Sequence, residues 1–203
     1  MERDKAGDRE RDFKVEKYEW DNLWMENADD TVTPRVLYIG DSISCGTRRL
    51  ATEFAAGKLL FDGFGTSKAL DNPYFKKSVE IFAAQQGTRR HVLFNNGLHG
   101  WHLADKTDYA SLYEDMLVFL REKFPEARLW VLLTTAIRNP GQNARVDVRN
   151  EVALSIAGKL QIPVIDLHSV SVEHDDLHSE DGTHFTDAGY AELARAIVKS
   201  LEG

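Results

Sequence analysis

Short, uninterrupted apolar runs alternate along this chain with longer stretches whose apolar residues recur every three or four positions. Runs of the first kind, apolar on both sides of the period-2 repeat, suit strands buried on two faces; the second kind suits helices that cover them. The strands predicted are residues 35–39 (RVLYI), a short one at 60–64, 91–95 (HVLFN), 128–135 (RLWVLLTT) and 162–167 (IPVIDL). The helices predicted are 44–60, 73–86, 109–123, 146–160 and 187–201. The 109–123 segment carries Leu112, Met116, Leu117, Phe119 and Leu120 at helical spacing. In the last helix Tyr190, Leu193, Ala194, Ile197, Val198 and Leu201 share one face, and Thr186 stands where an N-cap belongs. Strand–helix alternation of this kind predicts a three-layer α/β/α sandwich around a mainly parallel five-stranded sheet.

Residues 1–14 are almost all charged and lack any periodicity. A charged, mobile arm over 1–17 is therefore expected, followed by a single domain over 18–203. Tyr18, Trp20, Leu23 and Trp24 supply apolar surface to dock the start of that domain, and Asp29, Asp30 and Pro34 end the segment before the first strand. No internal repeat interrupts the pattern.

With 203 residues, 42% of them hydrophobic, one core is enough and no covalent staple is required. The single cysteine, Cys45, excludes an internal disulfide and a cysteine-rich metal site; its expected role is apolar packing. A net charge of -8 argues against nucleic acid or an anionic membrane as partner, since both reward clustered Lys and Arg. No run is long enough for a membrane span, and MERDKAGDRERDF lacks the apolar middle of a secretory signal, so a cytoplasmic location is expected.

Ligands of open parallel sheets bind outside the carboxyl ends of the strands. The segments that leave the predicted strands are therefore the place to look for chemistry. After the first strand comes GDSIS, with Asp41 and Ser42; after the second, GFGTS, with Gly65; at the end of the third, NNGLHGWH, from Asn95 to His102. Thr134, Thr135 and Arg138 succeed the fourth, and His168 and the segment SEDGTHFT succeed the fifth. Within that segment an acid and an imidazole three residues apart, bent around Gly182, can pair, with Asp181 orienting His184 and leaving its other ring nitrogen free. Asp-Gly turns also occur for backbone reasons alone, and Gly, Asp and Ser form ordinary caps. Ser42 with that pair nevertheless completes the requirement for acyl transfer: a hydroxyl, a base and an orienting carboxylate. Negative charge developing on the substrate carbonyl calls for donors, and the candidates are the Ser42 and Gly65 N–H groups and the side chains of Asn95 and His99. Residues 95, 97 and 99 alternate to one side of an extended segment, so Asn95 and His99 both stay open.

Together these motifs resemble the SGNH or GDSL hydrolases, serine esterases and lipases with a flavodoxin-like sandwich. The resemblance runs from GDS to the D-x-x-H at Asp181–His184 and covers roughly residues 35–201. It implies Ser42 as nucleophile, His184 as general base and Asp181 as its orienting acid, acting through an acyl-enzyme without a cofactor or metal. The family's G-x-N-D block reads Gly97-Leu98-His99-Gly100 here, placing His99 where an asparagine is usual, while N-x-G-x-H of carbohydrate O-acetyl esterases would give the role to Asn95. A G-x-S-x-G elbow and Walker and Rossmann fingerprints are absent, and His168, His174, His178 and His184 lack metal-ligand spacing. The expected activity is hydrolysis of short acyl esters, acetyl above all, on a small molecule or a carbohydrate, with Trp101 stacking on a sugar and Arg138 and Asn139 binding hydroxyls. The alternative is a carbohydrate-binding protein on the same fold with little or no turnover.

Overall fold

The computed structural model describes residues 13–202, so the first twelve residues of the expected arm lie outside it. The central sheet has six strands: β1 (Asp21–Trp24), β2 (Arg35–Gly40), β3 (Leu60–Thr66), β4 (Arg89–Phe94), β5 (Arg128–Leu132) and β6 (Val164–Ile165). Their order across the sheet is β1-β3-β2-β4-β5-β6, with β2 to β6 parallel and β1 antiparallel to β3. The five parallel strands correspond to the five the periodicity predicts, and they follow the flavodoxin-like order. β1 is an addition. Its four residues, DNLW, are all exposed, so backbone pairing rather than an apolar face holds it in place.

Alternation along the buried strands divides the core in two. Leu37, Ile39, Val92, Phe94 and Val131 point into one layer, and Val36, Tyr38, Leu93, Trp130 and Leu132 into the other. The first layer is closed by α2 (Phe75–Ala83), α3 (Lys106–Lys123) and α4 (Pro140–Leu160); the second by α1 (Ser42–Phe54), α5 (Leu167–Glu173) and α6 (Asp187–Glu202). Burial of these side chains contributes about 25 cal/mol per Å² of apolar surface removed from water, the main favourable contribution to folding.

Helices α1, α4 and α5 depart most from the sequence-based expectation, for physical reasons. α1 begins at Ser42 because the Asp41 carboxylate caps it, accepting from Ile43 N–H at 2.9 Å, and it ends at Phe54. α4 begins at Pro140, since Asn139 caps it through Gln142 N–H at 3.0 Å and a proline at N1 sacrifices no bonded donor. α5, not predicted, is a seven-residue helix capped by Asp166.

Candidate active site

The first parallel strand, β2, lies between β3 and β4, so the chain leaves its carboxyl end toward one side and returns on the other. Such a switch point opens a crevice at the strand ends. Ser42 sits there, one residue past the β2–α1 turn, at the first position of α1. Its N–H belongs to the first turn of a helix, where donors lack intrahelical partners, and it makes no hydrogen bond among the described residues.

The loop before α6 reaches the same crevice. His178 and Phe185 bridge as paired residues, Ser179 N–H donates to His184 O at 2.8 Å, and Phe185 is buried in the core, which anchors the intervening turn. Gly182 takes a φ of 68°, a left-handed conformation costly for other residues, and lets the chain double back so that Asp181 meets His184. Asp181 Oδ1 accepts from Thr183 N–H at 2.8 Å, His184 N–H at 2.9 Å and Ser179 Oγ at 2.9 Å. Its Oδ2 lies 2.6 Å from His184 Nδ1, and His184 Nε2 lies 2.8 Å from Ser42 Oγ. The hydrogen bond to the His184 ring, followed by those from the backbone N–H groups of His184 and Thr183, holds the Asp181 carboxyl well below the ordinary carboxylate range. An ionised Asp181 fixes the Nδ1–H tautomer, leaving the Nε2 lone pair for the serine hydroxyl. Side-chain exposures of 53% for Asp181 and 40% for His184 leave this array open to solvent and substrate.

Asp41 is the buried acid of the crevice. One of its oxygens caps α1, and Oδ2 has no partner among the described residues. Burial pushes its carboxyl up, opposed chiefly by His99 and less by Ile43 N–H and His184. His99 as well as His184 is thus close enough to be felt by Asp41.

Several expected site residues have other partners. The even-numbered residues of β3 direct their N–H groups at β2, as Leu60 does to Pro34 O, and Ser67 N–H donates to Trp20 O; by antiparallel alternation Gly65 N–H then faces Asn22 of β1. The expectation that Gly65 donates to an oxyanion is corrected accordingly. Its missing side chain has a packing cause, because a Cβ there would collide with Cys45 Sγ. Asn95 spends both amide hydrogens, on Leu132 O and Thr134 Oγ1, each at 2.9 Å, and so has none to offer a substrate. Trp101 is half-buried, with the guanidinium groups of Arg145 and Arg149 each 4.6 Å from its ring centre, so protein cations engage the surface expected to meet a sugar. Arg138 braces the loop before α6: its N–H donates to Gly182 O at 2.8 Å and its Nη2 to Asp175 O at 2.6 Å. Asn139 is the α4 cap described above. Cys45 packs under β3, and burial pushes its thiol up, away from nucleophilic character.

Two residues not singled out from the sequence shape the crevice. Arg149 of α4, itself buried, donates to the carbonyls of Gly97 at 3.0 Å, His99 at 2.6 Å and Gly100 at 2.7 Å, which pins the 97–100 loop from beneath. Glu16, from the segment before β1, holds the same loop from above: its carboxylate lies 3.0 Å from His99 Nδ1 and accepts from Gly100 N–H at 3.1 Å. Neither gives a local sequence signal, since each acts on a loop about fifty or more positions away. Among the described residues no cluster of three His, Cys, Asp or Glu could hold a metal ion, and no helix is long and apolar enough to cross a membrane.

No protein-family model and no curated protein matches the chain. Solved structures do. An aryl esterase of M. smegmatis is 15% identical with a TM-score of 0.68, covering 84% of this chain and 99% of its own. A lipase/acylhydrolase from Enterococcus faecalis is 20% identical with a TM-score of 0.66, covering 84% and 96%, and an acetyl xylan esterase is 16% identical with a TM-score of 0.64, covering 82% and 99%. Other similar structures are described as a member of the lipolytic G-D-S-L family and as an SGNH hydrolase. At such identities the likeness establishes the architecture: this chain has the α/β/α sandwich fold of the GDSL and SGNH hydrolases.

Proposed function

We propose that the protein is a serine ester hydrolase that cleaves short acyl esters through an acyl-enzyme on Ser42. The observation that carries this reading is the continuous pair of hydrogen bonds from Ser42 Oγ to His184 Nε2, at 2.8 Å, and from His184 Nδ1 to Asp181 Oδ2, at 2.6 Å. In the first half-reaction Ser42 Oγ bonds to the ester carbonyl carbon while its proton passes to His184 Nε2, and the carbonyl oxygen becomes an oxyanion. Asp181 stabilises the imidazolium so formed. As the tetrahedral species collapses, the C–O bond to the alcohol breaks and His184 returns the proton to that alcohol. A water molecule repeats the sequence on the acyl-serine, giving the carboxylic acid and restoring the hydroxyl. The oxyanion donors in this reading are Ser42 N–H and His99, because Gly65 N–H and the Asn95 amide are engaged elsewhere.

A small acyl group, acetyl first, fits the surroundings. The interior space behind the GDS turn, lined by Asp41, Ser44, Leu98 and Leu133 among others, holds about 10 Å³, so the fold offers no tunnel for an alkyl chain there. The resemblance to an aryl esterase and an acetyl xylan esterase supports esters of acetate as first substrates. A weakly active binding protein is the second reading, favoured by the commitment of Gly65 and Asn95 to other partners.

The deciding experiment is hydrolysis of p-nitrophenyl acetate and of an acetylated sugar by wild type, Ser42→Ala and His184→Ala, with fluorophosphonate labelling of the serine. Wild type turns over and labels, and each variant loses at least about 10³-fold in kcat. Undiminished hydrolysis by Ser42→Ala refutes the mechanism, and a wild type that binds sugar but neither hydrolyses nor labels favours the second reading.

A further inference from the structure

We infer that Glu16 is a positioning residue of the active site: from the segment that precedes β1, it holds the His99 ring so that Nε2 donates to the oxyanion formed at Ser42. The inference rests on the reading of the site as a serine ester hydrolase.

Topology is the first support. Because β1 runs antiparallel to β3, with Asp21 opposite Thr66, the chain enters β1 from the carboxyl edge of the sheet, the edge that carries Ser42. Residues just before β1 must cross that edge. Trp20 fixes the crossing, since its N–H donates to Ser67 Oγ at 2.8 Å and its carbonyl accepts from Ser67 N–H at 3.1 Å. Glu16 N–H in turn donates to Glu19 Oε1 at 3.0 Å, which turns the segment over the 97–100 loop.

Geometry at His99 is the second support. Glu16 makes a two-point contact, one oxygen on the ring Nδ1 and the other on the next residue's N–H, so it fixes the imidazole and its backbone together. The Trp20 ring stands edge-on to the His99 ring, 5.8 Å between centroids at 81°, and sets its plane. Arg149 holds the carbonyls of the same loop from the other side. Nε2 makes no hydrogen bond among the described residues, and His99 lies near enough to Asp41, the residue before the nucleophile, to dominate the opposition to its burial.

Chemistry is the third support. In the doubly protonated ring Nδ1–H donates to the Glu16 carboxylate and Nε2–H is left to donate to the oxyanion. A charged donor aimed where negative charge develops is the arrangement that lowers a barrier most. Two carboxylate–imidazole pairs then flank the serine: Asp181–His184 moves the proton and Glu16–His99 receives the charge.

The test is a double-mutant cycle on p-nitrophenyl acetate hydrolysis with Glu16→Ala, His99→Ala and the double variant, alongside Glu16→Gln. Thermal unfolding and fluorophosphonate labelling are measured on each protein. His99→Ala lowers kcat by about 10² to 10³, as loss of one oxyanion donor does, and Glu16→Ala by roughly 10-fold or more, with KM nearly unchanged in both. In the His99→Ala background Glu16→Ala has no further effect, because its role runs through the ring. Glu16→Gln recovers most of the loss, since its amide oxygen still accepts from Gly100 N–H and its amide hydrogen directs the ring proton to Nε2. Wild-type rates in Glu16→Ala, or losses that multiply in the double variant, overturn this inference while a labelled, active wild type leaves the hydrolase reading intact. A wild type that neither hydrolyses nor labels overturns both.

Discussion

Two aspartates, Asp62 and Asp181, each meet a cationic or basic side chain and use both oxygens, yet the surroundings put them to opposite uses. Asp62 is wholly buried in β3, where Arg35 reaches it through Nε at 2.9 Å and Nη2 at 2.7 Å, Glu26 N–H adds a bond at 3.1 Å, and Arg89 approaches to 3.5 Å. The hydrogen bond to Asp62 raises the Arg35 guanidinium's affinity for its proton, while burial lowers that of Arg89. This cluster joins β2, β3 and β4 at the sheet end away from Ser42 and ties in the chain just after β1 through Glu26. Asp181 sits half-exposed in a loop, fixed by backbone N–H groups, and its partner keeps one nitrogen free. Enclosure on all sides makes a carboxylate structural; enclosure on one side only leaves its partner available for chemistry.

The largest effect is expected at the exposed aspartate. Asp181→Asn presents an amide hydrogen to His184 Nδ1, enforces the wrong tautomer and lowers kcat by about 10⁴ in steady-state assays, while its loss of stability stays well below that of Asp62→Ala. Asp62→Ala has the reverse signature. It strands two buried guanidinium groups and costs about 3–5 kcal/mol in denaturant unfolding, while Ser42 labelling of the folded fraction continues at the wild-type rate. A protein in which Asp62→Ala slows labelling as much as Asp181→Asn would merge the two regions and sink the distinction.

A smaller effect separates Asp181 from Asp41 by pH. Asp181 titrates below its ordinary value of 3.8 in the folded state, so its contribution to stability is present above 3.8 and fades as pH falls through the folded value. Asp41 titrates above 3.8 because it is buried, so its contribution is present below 3.8 and fades as pH rises through the folded value. Relative to wild type, Asp41→Asn therefore gains stability as pH rises from about 3 to about 7, and Asp181→Asn loses it. Unfolding curves at several pH values, with slopes of equal sign for the two variants, would count against this assignment.

How much is legible in the chain depends on the range of each signal. β2, β4 and β5 announce themselves because both faces are apolar, and the residues named for chemistry at 42, 181 and 184 fall on strand-end turns whose composition is local. β1 has no such signal: DNLW is exposed, and what recruits it is the unfilled edge of β3 together with polar contacts such as Arg48 to Asn22 and Lys68 to Asp21, which lie 26 and 47 positions away. Pro140-Gly141 reads as a loop but opens a helix, since a proline at N1 loses nothing. Gly65 reads as an oxyanion donor because a glycine near a site has several uses, and the one in force, clearance for Cys45, is set by a helix crossing. Arg149 and Glu16 escape notice because what they hold, the loop around His99, is about 50 and 83 positions distant.

β1 carries one more consequence. It occupies the outer edge of β3, a seven-residue strand buried along its entire length. A chain cut before residue 25 would present that row of unsatisfied amides and carbonyls to any neighbour, and identical chains make the readiest neighbours. Shortening the amino-terminal segment is therefore expected to yield self-associating material, visible as a concentration-dependent rise in light scattering, so the same short strand that steers Glu16 over the crevice also closes the sheet's outer edge.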